Sequence, residues 1–228
     1  MQFLQSSPPL SLSFLVKDLE WETEGSPEIM VDIGGSHGSI SIELLHTFPN
    51  LRSIVQDLQD TIPTALVPED LTDRLDFKIH NFFEEQPVKN ADVYFLRSIL
   101  HDWSDKYAIK ILKNLVPALK KGAKVIVNEV CLPEPNVLSY YHEQLVRYTF
   151  ALHIYYSKII ADNQSSGYDL SMKAKFNSKE RSADDWKALF EAVDRRFKVQ
   201  RIKCTPGSIL SVIEAVWQPD SATGKASD

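Results

Sequence analysis

The sequence predicts an α/β protein: a mostly parallel sheet closed at one edge by an antiparallel hairpin. Three observations carry this. Short segments apolar on both faces recur along the chain, as strands do in a parallel sheet covered by helices on each side. Helical stretches alternate with them. Near the C-terminus, FKVQRIK (197–203) and SILSVIEAV (208–216) flank a TPGS turn and read as a hairpin.

The strand candidates are IMVDI (29–33), SIVQ (53–56), LDFKI (75–79), DVYFL (92–96) and KVIVNE (124–129). The clearest helix is DKYAIKILKNLVPALK (105–120), with Ile109, Leu112, Leu115, Val116 and Leu119 on one stripe, Ser104 as N-cap and a stop at Lys120–Gly122. SADDWKALFEAV (182–193) is amphipathic, with a Ser cap and acids in its first turn. The segment 148–167 has no clean helical stripe and sits between HEQLVR and YDLSMKAKFNSKER, which would join more smoothly without it. The tail after Trp217 has a disordered composition.

Composition narrows the function. At 228 residues the chain is one domain by size. A formal net charge of −6 and a pI near 5.5 argue against a nucleic-acid surface. The N-terminal stretch has no basic n-region and prolines interrupt it, so neither a signal peptide nor a membrane span is expected, and the cytoplasm is the default. Cys131 and Cys204 form no framework, and both lie in apolar runs where buried thiols are expected. No metal-ligand spacing is present.

The most informative stretch is 30–58. Its apolar strand ends in Asp32 and breaks at Gly34, Gly35 and Gly38; a helix-like stretch and a second apolar run then deliver Asp57. Strand, glycine turn, helix, strand and acid together suit a nucleoside-bearing cofactor. Glycines let backbone approach the ligand, a helix N-terminus offers unpaired N–H groups, and the second acid can take ribose hydroxyls. The spacing lacks the G-x-G-x-x-G order, so a tight turn in any α/β protein competes with this reading. A second constellation, FLRSILHDWSD (95–105), leaves a strand and enters the 105–120 helix. It sets His101 and Asp102 past a strand's carboxyl end, where open α/β sheets bind ligands. His101 could take a proton near neutral pH, or the His–Asp pair could simply cap the helix. His80 reads as structural, His37 faces either cofactor or solvent, and Trp103 reads as a packing anchor.

Together these constellations resemble the small-molecule, S-adenosylmethionine-dependent O-methyltransferases of fungi and plants. The matching stretches are VDIGGSHG, VQDL, HNFFEEQPV, LRSILHDWSD, KVIVNEVCLPEP, FNSKERSADDW and GSILSVIEAVW, in the family's order from about Trp21 to Trp217. The resemblance implies the class I methyltransferase fold, a Rossmann-like sheet of seven strands with the last antiparallel. It implies a catalytic domain over 21–218, a residual linker over 1–20 to a missing N-terminal dimerisation domain, and a disordered tail at 219–228. It sets Asp32, Gly34 and Gly38 around the methionine and ribose of the cofactor, Asp57 on the ribose hydroxyls, Asn81 and Phe82 along adenine, and Arg97 near the cofactor edge. His101 matches the catalytic base, and Glu129 and Glu180 the two acids that orient it. Met172 and Asn177 match acceptor-pocket positions. No metal is called for.

Three departures from the family stand out. The chain begins just before the catalytic domain, so the apolar runs at 3–4 and 12–16 are expected to have packed on the absent domain. Asn81 stands where the family usually has an aspartate, and 148–167 reads as an insertion, either retained intron sequence or a lid loop. The function implied is methylation of a phenol or enol hydroxyl of a secondary metabolite. The partners implied are a small-molecule acceptor, with no nucleic acid or membrane, and a homodimer or a separately encoded N-terminal domain. The alternatives are a cyclase or pericyclase that uses the cofactor without methyl transfer, and a truncated inactive or partner-dependent subunit.

Overall fold

The computed structural model describes residues 10–62, 65–132 and 180–219. Met172, Asn177, the 148–167 segment, the 3–4 run and residues 220–228 of the tail lie outside the described residues.

Five parallel strands form the centre of the molecule: β1 (Ile29–Ile33), β2 (Arg52–Asp57), β3 (Leu75–Ile79), β4 (Val93–Arg97) and β5 (Lys124–Glu129). A two-residue pair, β6 (Cys131–Leu132) with β7 (Arg181–Ser182), stands apart from them. The C-terminal hairpin, β8 (Phe197–Lys203) and β9 (Ser211–Trp217), adds to the sheet through β9, which runs antiparallel to β5. The order is β3-β2-β1-β4-β5-β9-β8. Strand order reverses between β1 and β4, so the crevice past their carboxyl ends is the natural ligand position. All five predicted parallel strands and the hairpin are present.

Residues alternate between two apolar layers. Val31, Ile33, Tyr94, Leu96, Val125 and Val127 pack with α4 (Asp105–Lys113) and α5 (Ala183–Val193). Met30, Val55, Phe95 and Ile126 face the other way, onto α1 (Leu12–Leu19) and α3 (Ser39–Thr47). A short helix, α2 (Trp21–Glu24), links α1 to the sheet. Apolar residues on both strand faces are what a sheet covered on both sides requires.

Three expectations change. Residues 12–19 are a helix whose apolar face packs within the described fold: Leu15, Leu19 and the following Trp21 are buried among Met30, Leu44 and Phe48. Burying such side chains contributes about 1.5–3 kcal/mol each, and Asp18 adds bonds from Thr205 N–H and Oγ1–H. The 105–120 helix stops at Lys113 and resumes as a single 3-10 turn at Val116–Ala118, because Pro117 has no N–H to continue the ladder. Its inward face is accordingly Ala108, Ile111 and Leu112. Cys204 is exposed, just past the end of β8, and Cys131 is partly so, in the two-residue strand β6. The predicted α5 cap is present as a capping box: Ser182 Oγ accepts from Asp185 N–H while Asp185 accepts from Ser182 N–H.

Candidate active site at the carboxyl ends of the strands

The glycine turn joins β1 to α3. Gly34 N–H and Gly35 N–H both donate to Gln56 O, at 2.8 and 3.2 Å, which folds the turn back on β2. Gly34 and Gly38 hold φ of +71° and +74°, a region closed to most side chains. Gly35 has no such φ, but a Cβ there would lie 2.6 Å from the Asp32 carboxyl and 2.8 Å from Val55. Asp32 sits beneath the turn, only 2% exposed, and its Oδ2 accepts from Ser41 Oγ at 2.7 Å. Ser41 in turn accepts from Ser53 Oγ. Burial pushes the Asp32 carboxyl up to about 6, against the Ser41 bond and the Arg97 charge, with the Asp57 charge adding to the rise. Asp32 therefore braces the turn from within the fold. The open turn above it carries His37, which is exposed.

Asp57 ends β2 beside that turn. Its Oδ2 accepts from Ser36 N–H at 2.8 Å and its Oδ1 from Leu58 N–H at 2.7 Å. Each carboxylate oxygen accepts more than one bond, so this fixes the group and leaves capacity for hydroxyls. Asn81 follows β3, held near Asp57 by the His80 N–H bond to Asp57 O. Its Oδ1 accepts from Phe83 N–H, closing an Asx turn. Phe82 packs edge-to-face with Phe83 and Trp103.

His101 sits in a 3-10 turn, Leu100–Asp102, between β4 and α4. Glu129, at the end of β5 and fully buried, reaches it from the neighbouring strand: Oε2 lies 2.7 Å from His101 Nδ1. An ionised carboxylate only accepts, so Nδ1 carries the proton and Nε2 is left as the exchangeable nitrogen. Glu129 Oε1 accepts from Ile99 N–H and Leu100 N–H, at 2.7 and 2.8 Å. Asp102 Oδ1 lies 3.4 Å from His101 Nε2. Burial of the imidazole works to lower its pKa. The Glu129 charge and the bonds to Asp102 and Glu129 outweigh this and hold it well above the usual 6.5. Arg97 is at the end of β4, donating to Asn128 Oδ1 at 2.5 Å and to Leu10 O at 3.2 Å. Its burial lowers it to about 10, while Asp32 and Glu129 pull the other way.

The sheet thus gathers Asp32, Gly34, Gly38, Asp57, Asn81, Phe82, Arg97, His101 and Glu129 along one edge. Glu180 is half-buried and directly precedes β7, whose Arg181 pairs with Cys131, two residues beyond Glu129. Among the described residues, no group of three or more His, Cys, Asp or Glu side chains could hold a metal, and no helix is long and apolar enough to cross a membrane.

Several structural contributors escape a reading by motif. Gln56 and Gln86, both buried, exchange two amide bonds at 2.9 and 2.8 Å, tying β2 to the loop after β3. A glutamine inside an apolar strand run is the only local hint of this. Arg181 is 1% exposed and donates to Leu100 O, Trp103 O and Asp105 Oδ1 around the His101 turn. In sequence it hides in the charged run KER.

The profile of the O-methyltransferase domain family matches residues 15–194. O-methyltransferase kk1A of Curvularia clavata is 50% identical over 219 residues, which are 96% of this chain and 47% of that protein. O-methyltransferase AMT9 of Alternaria alternata is 40% identical over 92% of this chain and 44% of its own length. The chain therefore spans about half the length of these curated relatives. Among solved structures, LepI complexed with SAM superposes with a TM-score of 0.64 at 27% identity, covering 90% of this chain and 46% of that one. Human N-acetylserotonin methyltransferase with SAM gives a TM-score of 0.69 at 23% identity over 96% of this chain and 55% of that one, a likeness of fold. A sheet with the class I methyltransferase order and a family profile over most of the sequence lead to one conclusion: the chain belongs to the O-methyltransferase family.

Proposed function

We propose that this chain is the catalytic portion of an S-adenosylmethionine-dependent O-methyltransferase whose acceptor is a phenol or enol hydroxyl of a secondary metabolite. The observation that carries the reading is the His101–Glu129 pair at the same sheet edge as the glycine turn. The donor set fits the cofactor. Asp57 offers spare acceptor capacity for two hydroxyls, Gly34 and Gly38 keep the turn free of side chains, and Asn81 and Phe82 offer an amide and an aromatic face for adenine. When bound, the cofactor supplies a methyl group already activated by its sulfonium.

The chain's own task is to position an oxygen and remove its proton. A phenol of pKa about 10 is little ionised at neutral pH. Neutral His101 accepts that proton at Nε2, and Glu129 holds the Nδ1–H tautomer and stabilises the imidazolium that forms. The contacts with Glu129 and Asp102 favour the protonated imidazole, so the neutral working form of His101 becomes more populated as pH rises. A cation bound at the same edge favours that neutral form by like-charge repulsion. Glu180 is the second acid in this scheme.

Incubation with methyl-labelled cofactor and a panel of phenols and enols tests the proposal, using this chain alone and with an N-terminal domain from a relative. Labelled ether product, heavier than the acceptor by one CH₂, is expected. Product of unchanged mass would favour the pericyclic chemistry named for a solved structure of the same fold, a "Pericyclic Reaction enzyme" 27% identical to this chain. No product of either kind in either format would count against both readings.

A further inference from the structure

We propose that Arg181 is a positioning residue for the base, fixing the turn that carries His101 from the side opposite Glu129. The inference rests on His101 acting as the base. Glu129 holds the turn by its N–H groups, accepting from Ile99 and Leu100. Arg181 holds the same turn by its carbonyls. Its Nη1 donates to Leu100 O at 2.9 Å and its Nη2 to Trp103 O at 2.9 Å. Leu100 is gripped at both ends, and its carbonyl belongs to the peptide plane that leads directly into His101. The orientation of that plane sets where the imidazole leaves the backbone.

The guanidinium is built into place. Nε and Nη2 both reach Asp105 Oδ1, at 3.0 and 2.9 Å, anchoring it to the first turn of α4. Its carbon lies 5.2 Å from the Trp186 ring centroid, so α5 supplies a stacking wall. The backbone of Arg181 pairs with Cys131, just past Glu129. One residue therefore ties together the His101 turn, the Glu129 strand and two helices. Burying a charge at 1% exposure costs several kcal/mol unless its donors are met. Here four donor contacts converge on Leu100, Trp103 and Asp105, all within four residues of His101. Only a planar fork serves two carbonyls and a carboxylate at once; a compact ammonium does not.

The charged groups facing His101 are Glu129 from β5 and Asp102 from its own turn, and Arg181 and Asp105 lie behind that turn. Removing the Arg181 charge by itself would raise the His101 pKa, whereas loosening the turn from Glu129 would lower it. Arg181→Lys keeps the charge and removes the fork, so it isolates the positioning effect.

The test uses the full chain with two readouts. Imidazole NMR follows His101, identified by the signal lost in His101→Gln, and steady-state kinetics follows methyl transfer. In Arg181→Lys, His101 should titrate at least about one unit lower than in wild type. The value of kcat should fall about 10- to 100-fold, as expected for a base displaced by about an ångström. The acceptor KM and the S-adenosylhomocysteine dissociation constant should stay within about threefold, because Arg181 touches neither ligand position. Asp105→Glu, which keeps the charge and displaces the carboxylate that anchors the guanidinium, should move the titration in the same direction by less; it decides the question if Arg181→Lys does not fold. A folded Arg181→Lys with unchanged titration and kcat would overturn the proposal, as would an upward shift. The titration is read whether or not methyl transfer occurs, so failure of the methyltransferase reading would show separately, as absence of turnover in wild type.

Discussion

Gly35→Ala is the sharpest test of how the glycine turn is built. Its φ is not in the left-handed region, so the cost of a methyl is contact and not backbone strain. The new Cβ would lie 2.6 Å from Asp32 Cγ and Oδ2 and 2.8 Å from Val55 Cγ1, where ordinary contact begins at 3.4 Å. These groups must retreat by most of an ångström. Val55 is in the core, so the overpacking costs about 1–3 kcal/mol. Asp32 cannot retreat without loosening its 2.7 Å bond from Ser41, and a disturbed buried acceptor adds about 1–3 kcal/mol. At about 2–4 °C per kcal/mol for a chain of this size, the melting temperature should fall by at least about 5 °C. Thermal melting by circular dichroism measures it, and calorimetry with S-adenosylhomocysteine should show weakened binding alongside. The Gly35→Ala/Asp32→Ala double variant should be less destabilised than the two single changes summed, because the clash partner is gone. A Gly35→Ala protein that melts within about 1 °C of wild type and binds as tightly would refute the packing argument.

Three further outcomes follow from the same structure. Ser182→Ala removes the capping box of α5 and should cost about 1 kcal/mol in urea unfolding, with no change in S-adenosylhomocysteine affinity. Asp57→Ala should weaken that affinity about 10- to 100-fold in calorimetry, the equivalent of losing charged hydrogen bonds worth about 1.5–3 kcal/mol; unchanged affinity would remove Asp57 from the site. Asp32 binds its proton more tightly folded than unfolded, about 6 against 3.8, so the native state holds the extra proton between those values and stability falls as pH rises through that window. Asp32→Asn should therefore gain on wild type by up to about 3 kcal/mol between pH 4 and pH 7.5 in denaturant titrations, and a constant difference across that range would contradict the burial effect.

The strands were legible because being covered on both faces leaves a local mark, continuous apolar runs of five or six residues. The hairpin was legible from its turn, where Gly207 takes φ +97°. The helix α1 was not read, although Leu12, Leu15, Val16 and Leu19 have the spacing of a buried face. What that face packs on, α3 and β9, is remote in sequence, so the run resembles a stub awaiting another domain. Pro117 announces the break in α4, but a stripe continuing through Leu119 masks it. In the site, residues at strand ends could be named because strand ends are where a sheet of this type gathers ligands. The braces could not: Ser41 under Asp32, Gln86 against Gln56 and Arg181 around Leu100 act across 9, 30 and 81 positions of chain. Isolated polar residues of that kind carry no periodic signal. The resemblance sets Asp32 at the cofactor, and nothing local in the sequence announces its second part as a buried support of the turn, 2% exposed and bonded by Ser41.

The central claim is that His101 takes the acceptor's proton, and His101→Ala tests it most directly. The imidazole is held by Glu129 on one side and leaves the glycine turn and Asp57 untouched, so S-adenosylhomocysteine should bind within about threefold of wild type. Turnover with a phenolic acceptor should fall by roughly 10²–10⁴, the usual contribution of a positioned base. Part of that loss should return as pH approaches the acceptor's own pKa of about 10, where the hydroxyl ionises unaided. A folded His101→Ala enzyme that turns over as fast as wild type at neutral pH would contradict the account and leave the His–Asp pair as a helix cap.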